Sequence, residues 1–140
     1  MTRINVIPVW ELSDQHLLAE YRELPRVLKQ NISTVGAKSY YHLGPGHMKW
    51  GRRHWHFCLN RFRDICKHMP LRGFFPKFDP ENLLPLLKDI AAQYPDGDYE
   101  VNSKDIQLNR ERILERYRAH PDHYTWTRVE KPYWVTKGDK

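Results

Sequence analysis

Apolar residues recur at helical spacing along most of the chain. Behind Ser13, the residues Leu17, Tyr21, Leu24 and Leu28, supported by Leu18, mark one face of a helix running to about Leu28. Ser13 is a residue type that caps a helix N-terminus through its hydroxyl. At about 100° per residue, Gln15, Arg22 and Arg26 fall opposite that face, while His16 and Glu23 share a flank. Pro25 removes a backbone donor, so the helix is expected to kink there or end early. A second pattern is stronger. Trp55, Cys58, Leu59, Phe62, Ile65, Cys66 and Met69 follow the i, i+3, i+4, i+7 rule and read as the central core helix.

Between these two helices lies Leu43-Gly44-Pro45-Gly46-His47, a turn whose glycines can take positive φ or admit another backbone closely. Asp79-Pro80 offers an N-cap and a first-turn proline to a third helix carrying Leu83, Leu84, Leu86, Leu87, Ile90 and Ala91, with Pro85 disturbing its first turns. A fourth helix begins near Ser103 and turns Ile106, Ile113, Leu114 and Tyr117 inward. Asn109, Arg112 and Arg116 are then expected on one exposed stripe, and the helix should end before Pro121. No segment alternates with period two. The expected fold is all-α, a single compact domain over residues 1–140 with about four helices and a loose, basic, aromatic tail from Tyr124 to Trp134.

Charge adds a direction. The chain has 140 residues, with 23 Lys and Arg against 17 Asp and Glu, for a formal charge of +6, and 8 His can add to it locally. Such an excess favours a polyanionic partner, with nucleic acid ahead of membrane. Cys58 and Cys66 lie eight apart within the central apolar pattern, which suits reduced core residues and not a bridge. No apolar run approaches the roughly 18 residues of a membrane span, and the N-terminus lacks a signal-peptide core. The expectation is a cytoplasmic monomer.

The amino terminus carries the candidate chemistry. A small residue after the initiator methionine usually permits its removal, which would leave Thr2 with a free α-amine. Such an amine has a pKa near 7.7–8.0, so roughly a third is neutral near pH 7.5, against about one lysine in a thousand. Neighbouring cations, Arg3 foremost, disfavour its protonated form further. It is a ready nucleophile for an electrophilic carbon. The Glu23 carboxylate, placed beside it, could move the protons that imine chemistry requires.

Met1-Thr2-Arg3-Ile4-Asn5, with Asp14-Gln15-His16-Leu17 and the continuous run Ala19-Glu20-Tyr21-Arg22-Glu23-Leu24-Pro25-Arg26, resembles the pyrimidine-dimer DNA glycosylases of the T-even phage endonuclease V type. Leu43-Gly44-Pro45-Gly46-His47 is similar to that family's glycine-flanked histidine segment, and Asn109 through Arg116 to its last basic helix. The resemblance implies a metal-independent, bifunctional glycosylase and abasic-site lyase that needs no cofactor. It acts on damaged double-stranded DNA in the cytoplasm of a bacterial or phage-infected cell. By that resemblance Thr2 and Glu23 are catalytic: the Thr2 amine attacks C1′ and forms an imine, and Glu23 stabilises positive charge on the sugar and assists loss of the C2′ proton. Arg3, Gln15, His16, Arg22, Arg26, His47, Arg112 and Arg116 would then contact DNA, chiefly at phosphates. After Pro121 the chain departs from the family pattern, with Asp122-His123-Tyr124-Thr125-Trp126 and a further basic, aromatic extension.

Two other readings compete. Arg53-His54-Trp55-His56-Phe57-Cys58 offers metal-ligand types, but helical residues two apart point about 200° from one another, so His54, His56 and Cys58 cannot face one ion. The other is a noncatalytic DNA-binding module that keeps the basic surface without the reaction.

Overall fold

The computed structural model describes residues 4–137. Six α-helices and no strand are found among the described residues: α1 (Asp14–Lys29), α2 (His47–Arg53), α3 (Trp55–His68), α4 (Lys88–Gln93), α5 (Ser103–Ala119) and α6 (Tyr133–Thr136). Short 3₁₀ turns at Val9–Glu11, Met69–Arg72, Pro80–Leu87 and Pro121–His123 join or extend them. No helix among the described residues is long and apolar enough to cross a membrane.

The Ser13 hydroxyl caps α1 by accepting from the His16 N–H at 3.0 Å. α1 runs through Pro25 for another turn and ends at Lys29, close to the expected Leu28, so Pro25 does not end it early. An interior proline costs about 3 kcal/mol. Leu24, Val27 and Leu28 are all fully buried around it, and each contributes about 1.5–3 kcal/mol, enough to hold the last turn in place. Its principal packing partner is α3, whose Cys58, Leu59, Phe62 and Ile65 fill the centre of the core. Cys58 and Cys66 are both buried free thiols.

The two glycines before α2 take positive φ, +81° at Gly44 and +86° at Gly46, conformations that a side chain would strain. Within α2, Gly51 has a different task. A Cβ there would lie 2.2 Å from Ile4 Cδ1 and 3.1 Å from Val27 Cγ1, so its absence lets α2 close on the N-terminal segment and α1 together.

The expected third helix is present in two parts. Asp79 caps the first by accepting from the Glu81 N–H, and the stretch Pro80–Leu87 is 3₁₀ before α4 begins. Pro85 has no N–H for an i→i−4 bond, which favours the tighter turn there. Leu83, Leu87 and Ile90 are buried, whereas Leu84 and Leu86 face solvent.

Two expectations need correction. Asn109 is not on an exposed stripe of α5 but fully buried. The residues after Pro121 are not a loose tail either, since they are fastened across the start of α1. Asp14 Oδ2 accepts from the hydroxyls of Thr125 (2.7 Å) and Thr127 (2.6 Å), and Asp14 Oδ1 accepts from the buried Arg72 guanidinium (3.1 Å). The indole N–H groups of Trp126 and Trp134 donate to Glu11, at its carbonyl and its carboxylate. Val135 is fully buried. A segment without an apolar period attracts no attention in a search for helices, yet here it closes the core through hydrogen bonds to Glu11 and to the first turn of α1.

Candidate active site

Residues 4–7 are buried in the interior as irregular chain, outside any helix or strand. Each of their backbone N–H groups needs another partner, because an unpaired buried amide is costly. Side chains from three helices supply them. Ile4 N–H donates to His47 Nε2 (3.0 Å), Asn5 N–H to Glu20 (3.3 Å), and Val6 and Ile7 N–H both to Asn109 Oδ1 (2.7 and 3.1 Å). Two carbonyls are held as well: Ile4 O accepts from the Tyr41 hydroxyl (2.8 Å) and Ile7 O from Arg61 (2.7 Å). This explains the burial of Asn109. Its amide takes the place of a sheet partner and donates in turn to the Asn5 side chain at 2.8 Å.

Glu20 is the centre of the network. Its carboxylate accepts from the Asn5 side-chain amide at 2.9 Å and is gripped by the forked guanidinium of Arg61, with Nη2 at 3.1 Å and Nε on the other oxygen. Both partners are buried. Neither was singled out from the sequence, although the signal is present: Glu20 lies about 60° from Leu17 and 40° from Leu24, inside the apolar stripe, where a charge requires a partner.

The predicted site residues are distributed as follows. Thr2 and Arg3 lie outside the described residues. Glu23 is half-buried, one turn beyond Glu20 on α1, and Arg22 and Arg26 are exposed on the outward face next to it. Arg112 is half-buried on α5 and Arg116 exposed. Burial together with the nearby Glu20 carboxylate raises the Tyr41 hydroxyl well above its usual range, and Arg112 is close enough to oppose that rise. Arg112 is thereby within electrostatic reach of Tyr41.

Three of the predicted DNA contacts have internal partners. His47 is buried, its Nδ1–H donating to His42 O (2.7 Å) while Nε2 accepts from Ile4, which fixes the neutral ring. Gln15 holds Thr125 at both its N–H (2.9 Å) and its hydroxyl (3.1 Å). His16 is buried with its ring stacked on Tyr124 at 4.9 Å, and its Nδ1 lies 2.6 Å from the Ser13 hydroxyl. Burial, with Arg116 and His123 adding repulsion, pushes His16 down to about 4.

A consequence for stability follows. The unfolded chain binds a proton at His16 near pH 6.5 and the folded chain only near 4, so protonation favours unfolding. The contribution is complete above about pH 6.5 and is lost as pH falls toward 4, amounting to about 3 kcal/mol. Urea unfolding at pH 7 and pH 4.5 is expected to show most of that loss, with His16→Phe flattening the profile. Equal profiles for the two proteins would rule out His16 as the source.

Among the described residues no cluster of three or more His, Cys, Asp or Glu is placed to hold a metal ion. His54 Nδ1 is bonded to Trp50 O at 2.8 Å, while His56 faces Asp98 at 3.4 Å, so the two rings serve different neighbours. The family model for pyrimidine dimer DNA glycosylases matches residues 1–82, a span that takes in the N-terminal segment and α1 to α3. Asn109, Arg112 and Arg116 lie beyond the matched span.

Proposed function

The chain belongs to the pyrimidine dimer DNA glycosylase family, and we propose that it excises cyclobutane pyrimidine dimers as a combined glycosylase and abasic-site lyase. Once Met1 is removed, the Thr2 amine attacks C1′ of the damaged nucleotide and displaces the base. The nitrogen loses a proton and its lone pair expels O4′, which takes up a proton as the ring opens, leaving a protonated imine at C1′ that can accept the electrons from C2′. Glu23 offsets the positive charge growing at C1′ and then takes the C2′ proton, so that the electrons left behind expel the 3′ phosphate oxygen and the strand is cut by β-elimination.

The observation that carries this reading is the fastening of the N-terminal segment to α1. Asn5 is bound to Glu20, and the Ile4 side chain meets Val27 and the open face of Gly51. Asn5 thus lies beside Glu20, and the Ile4 side chain reaches toward the part of α1 that carries Val27. Glu23 is about 4.5 Å further along the helix axis than Glu20. The two residues from Ile4 to Thr2 span at most about 7 Å. We take that reach to be enough for the amine to meet the Glu23 carboxylate, the proximity that nucleophilic catalysis needs.

Arg22, Arg26, Arg112 and Arg116, with Arg3, take the phosphates on either side of the lesion. In this reading Gln15, His16 and His47 act one step back: the first two seat the C-terminal segment and His47 seats Ile4. An enzyme that selects a lesion through deformed DNA needs few base contacts and many phosphate contacts. Its affinity for duplex should then fall steeply with salt, with a log–log slope of about −0.9 for each phosphate neutralised.

Borohydride trapping tests the chemistry. Protein shown by intact mass to begin at Thr2 is incubated in EDTA with a duplex holding an abasic site and with one holding a thymine dimer. An adduct mapped to the Thr2 amine is expected with both. An adduct on the abasic duplex alone would move the glycosylase to another lesion. Absence of any adduct would leave the noncatalytic DNA-binding module.

A further inference from the structure

Beside α1 the surface carries a feature that the reaction above does not use. Phe62 in the core, Tyr21 on α1 and Phe78 on the segment after Gly73 form a column of three nearly parallel rings. Their centroids are 5.7 and 6.1 Å apart and the planes differ by 25° and 27°. The innermost ring is fully buried and the outermost is 60% exposed. The outer ring is held in place, because the N–H groups of Lys77 and Phe78 both donate to the Tyr21 hydroxyl (2.8 and 3.3 Å) and Pro76 restricts the backbone just before them.

A single exposed aromatic is ordinary. This one has company of a particular kind. Phe75, on the same segment, is 75% exposed. Lys29 Nζ lies 5.8 Å from the Phe78 ring centroid, Lys77 is the adjacent residue, and Arg22 is on the same side of α1 as Lys29, two turns earlier. The nearest carboxylates are engaged: Asp79 caps the Glu81 N–H, and Glu81 is paired with Arg63 at 2.8 Å. An apolar face bordered by cations suits a polyanion that carries flat rings, and a nucleic acid strand is such a molecule.

We propose that Phe78 is a stacking platform for an unpaired nucleobase, with Lys29 and Lys77 taking the phosphates on either side of it. The inference rests on the DNA-directed reading above but not on its chemistry. A base laid on Phe78 would extend the column by one more ring at the spacing already present. The platform is backed by Tyr21 and Phe62, so little freedom is lost when it is used. Lys29 exchanges a weak contact with an exposed ring for a phosphate. Stacking discriminates little among bases, so the site would take any unpaired base beside the duplex face held by Arg22 and Arg26.

The test is binding of an undamaged oligothymidylate across a salt series, compared with thermal melting of each variant. Phe78→Ala is expected to weaken binding by about 5- to 150-fold at every salt concentration, leaving the slope unchanged. Phe78→Trp should retain binding, and Lys29→Ala and Lys77→Ala should each reduce the slope by about 0.7 while leaving the stacking contribution intact. Wild-type affinity in Phe78→Ala, or failure of Phe78→Trp to restore it in a folded protein, would overturn the platform. Trapping on the abasic duplex is run alongside. Trapping at Thr2 with Phe78→Ala binding like wild type removes the platform alone, whereas no trapping with Phe78-dependent binding removes the catalytic reading alone.

Discussion

Glu23→Gln is expected to lower dimer-directed strand cleavage by about 10²- to 10⁴-fold, the usual contribution of a positioned general acid or base. Gln keeps the size and shape of Glu and one acceptor oxygen but has no charge to set against a cationic sugar and no basicity for the C2′ proton. The nucleophile is untouched, so borohydride should still trap the variant on a preformed abasic site. Cleavage should fall further than trapping. Since Glu23 is half-buried on the surface of α1, the melting temperature should move by no more than a few degrees. Cleavage within a few-fold of wild type would remove Glu23 from the mechanism and shift the search to another base.

Three residues earlier on the same helix, loss of a carboxylate should behave in the opposite way. Glu20→Ala strips the counter-charge from Arg61 in a site where both groups are buried, and it also takes away the acceptor for two Asn5 donors. Breaking a buried pair from one side costs about 3–5 kcal/mol, a large part of the 5–15 kcal/mol that stabilises a typical domain. Arg61→Ala should cost a similar amount, because it leaves the Glu20 carboxylate buried and frees the Ile7 carbonyl. Urea unfolding measures both. Replacing the pair together with apolar residues should recover only part of the loss, since Asn5 would still have no acceptor. At temperatures where Glu20→Ala remains folded, its trapping rate should also fall, as the N-terminal segment is released. A loss below about 1 kcal/mol in both single variants would mean that water reaches the pair. The contrast between Glu20 and Glu23 separates what holds the terminus from what acts beside it.

The helical periods made much of the fold legible. Ser13 as the cap of α1, the core face of α3, the end of α5 before Pro121 and the positive φ of Gly44 and Gly46 all follow from local rules that depend on a few neighbouring residues. Pro25 did not end α1 early, because packing of Leu24, Val27 and Leu28 outweighs one missing hydrogen bond. The family was legible too, in the run from Ala19 to Arg26 and its distance from the terminus.

What the sequence determined by itself was an all-helical chain with a basic surface, and the family to which it belongs. Those properties reside in period, composition and contiguous motif, each readable without knowing what touches what. Only the tertiary structure decided that Asn109 faces inward, that Glu20 is paired with Arg61, that His16 is a neutral buried ring and that Thr125 and Thr127 are bound to Asp14. These residues are polar types that are usually exposed, and even Glu20, inside the apolar stripe of α1, does not reveal its partner in a one-dimensional pattern. Their burial is favourable only because a donor or acceptor from a distant part of the chain meets each of them, Asn5 and Asn109 being 104 residues apart, and such pairings arise from folding alone.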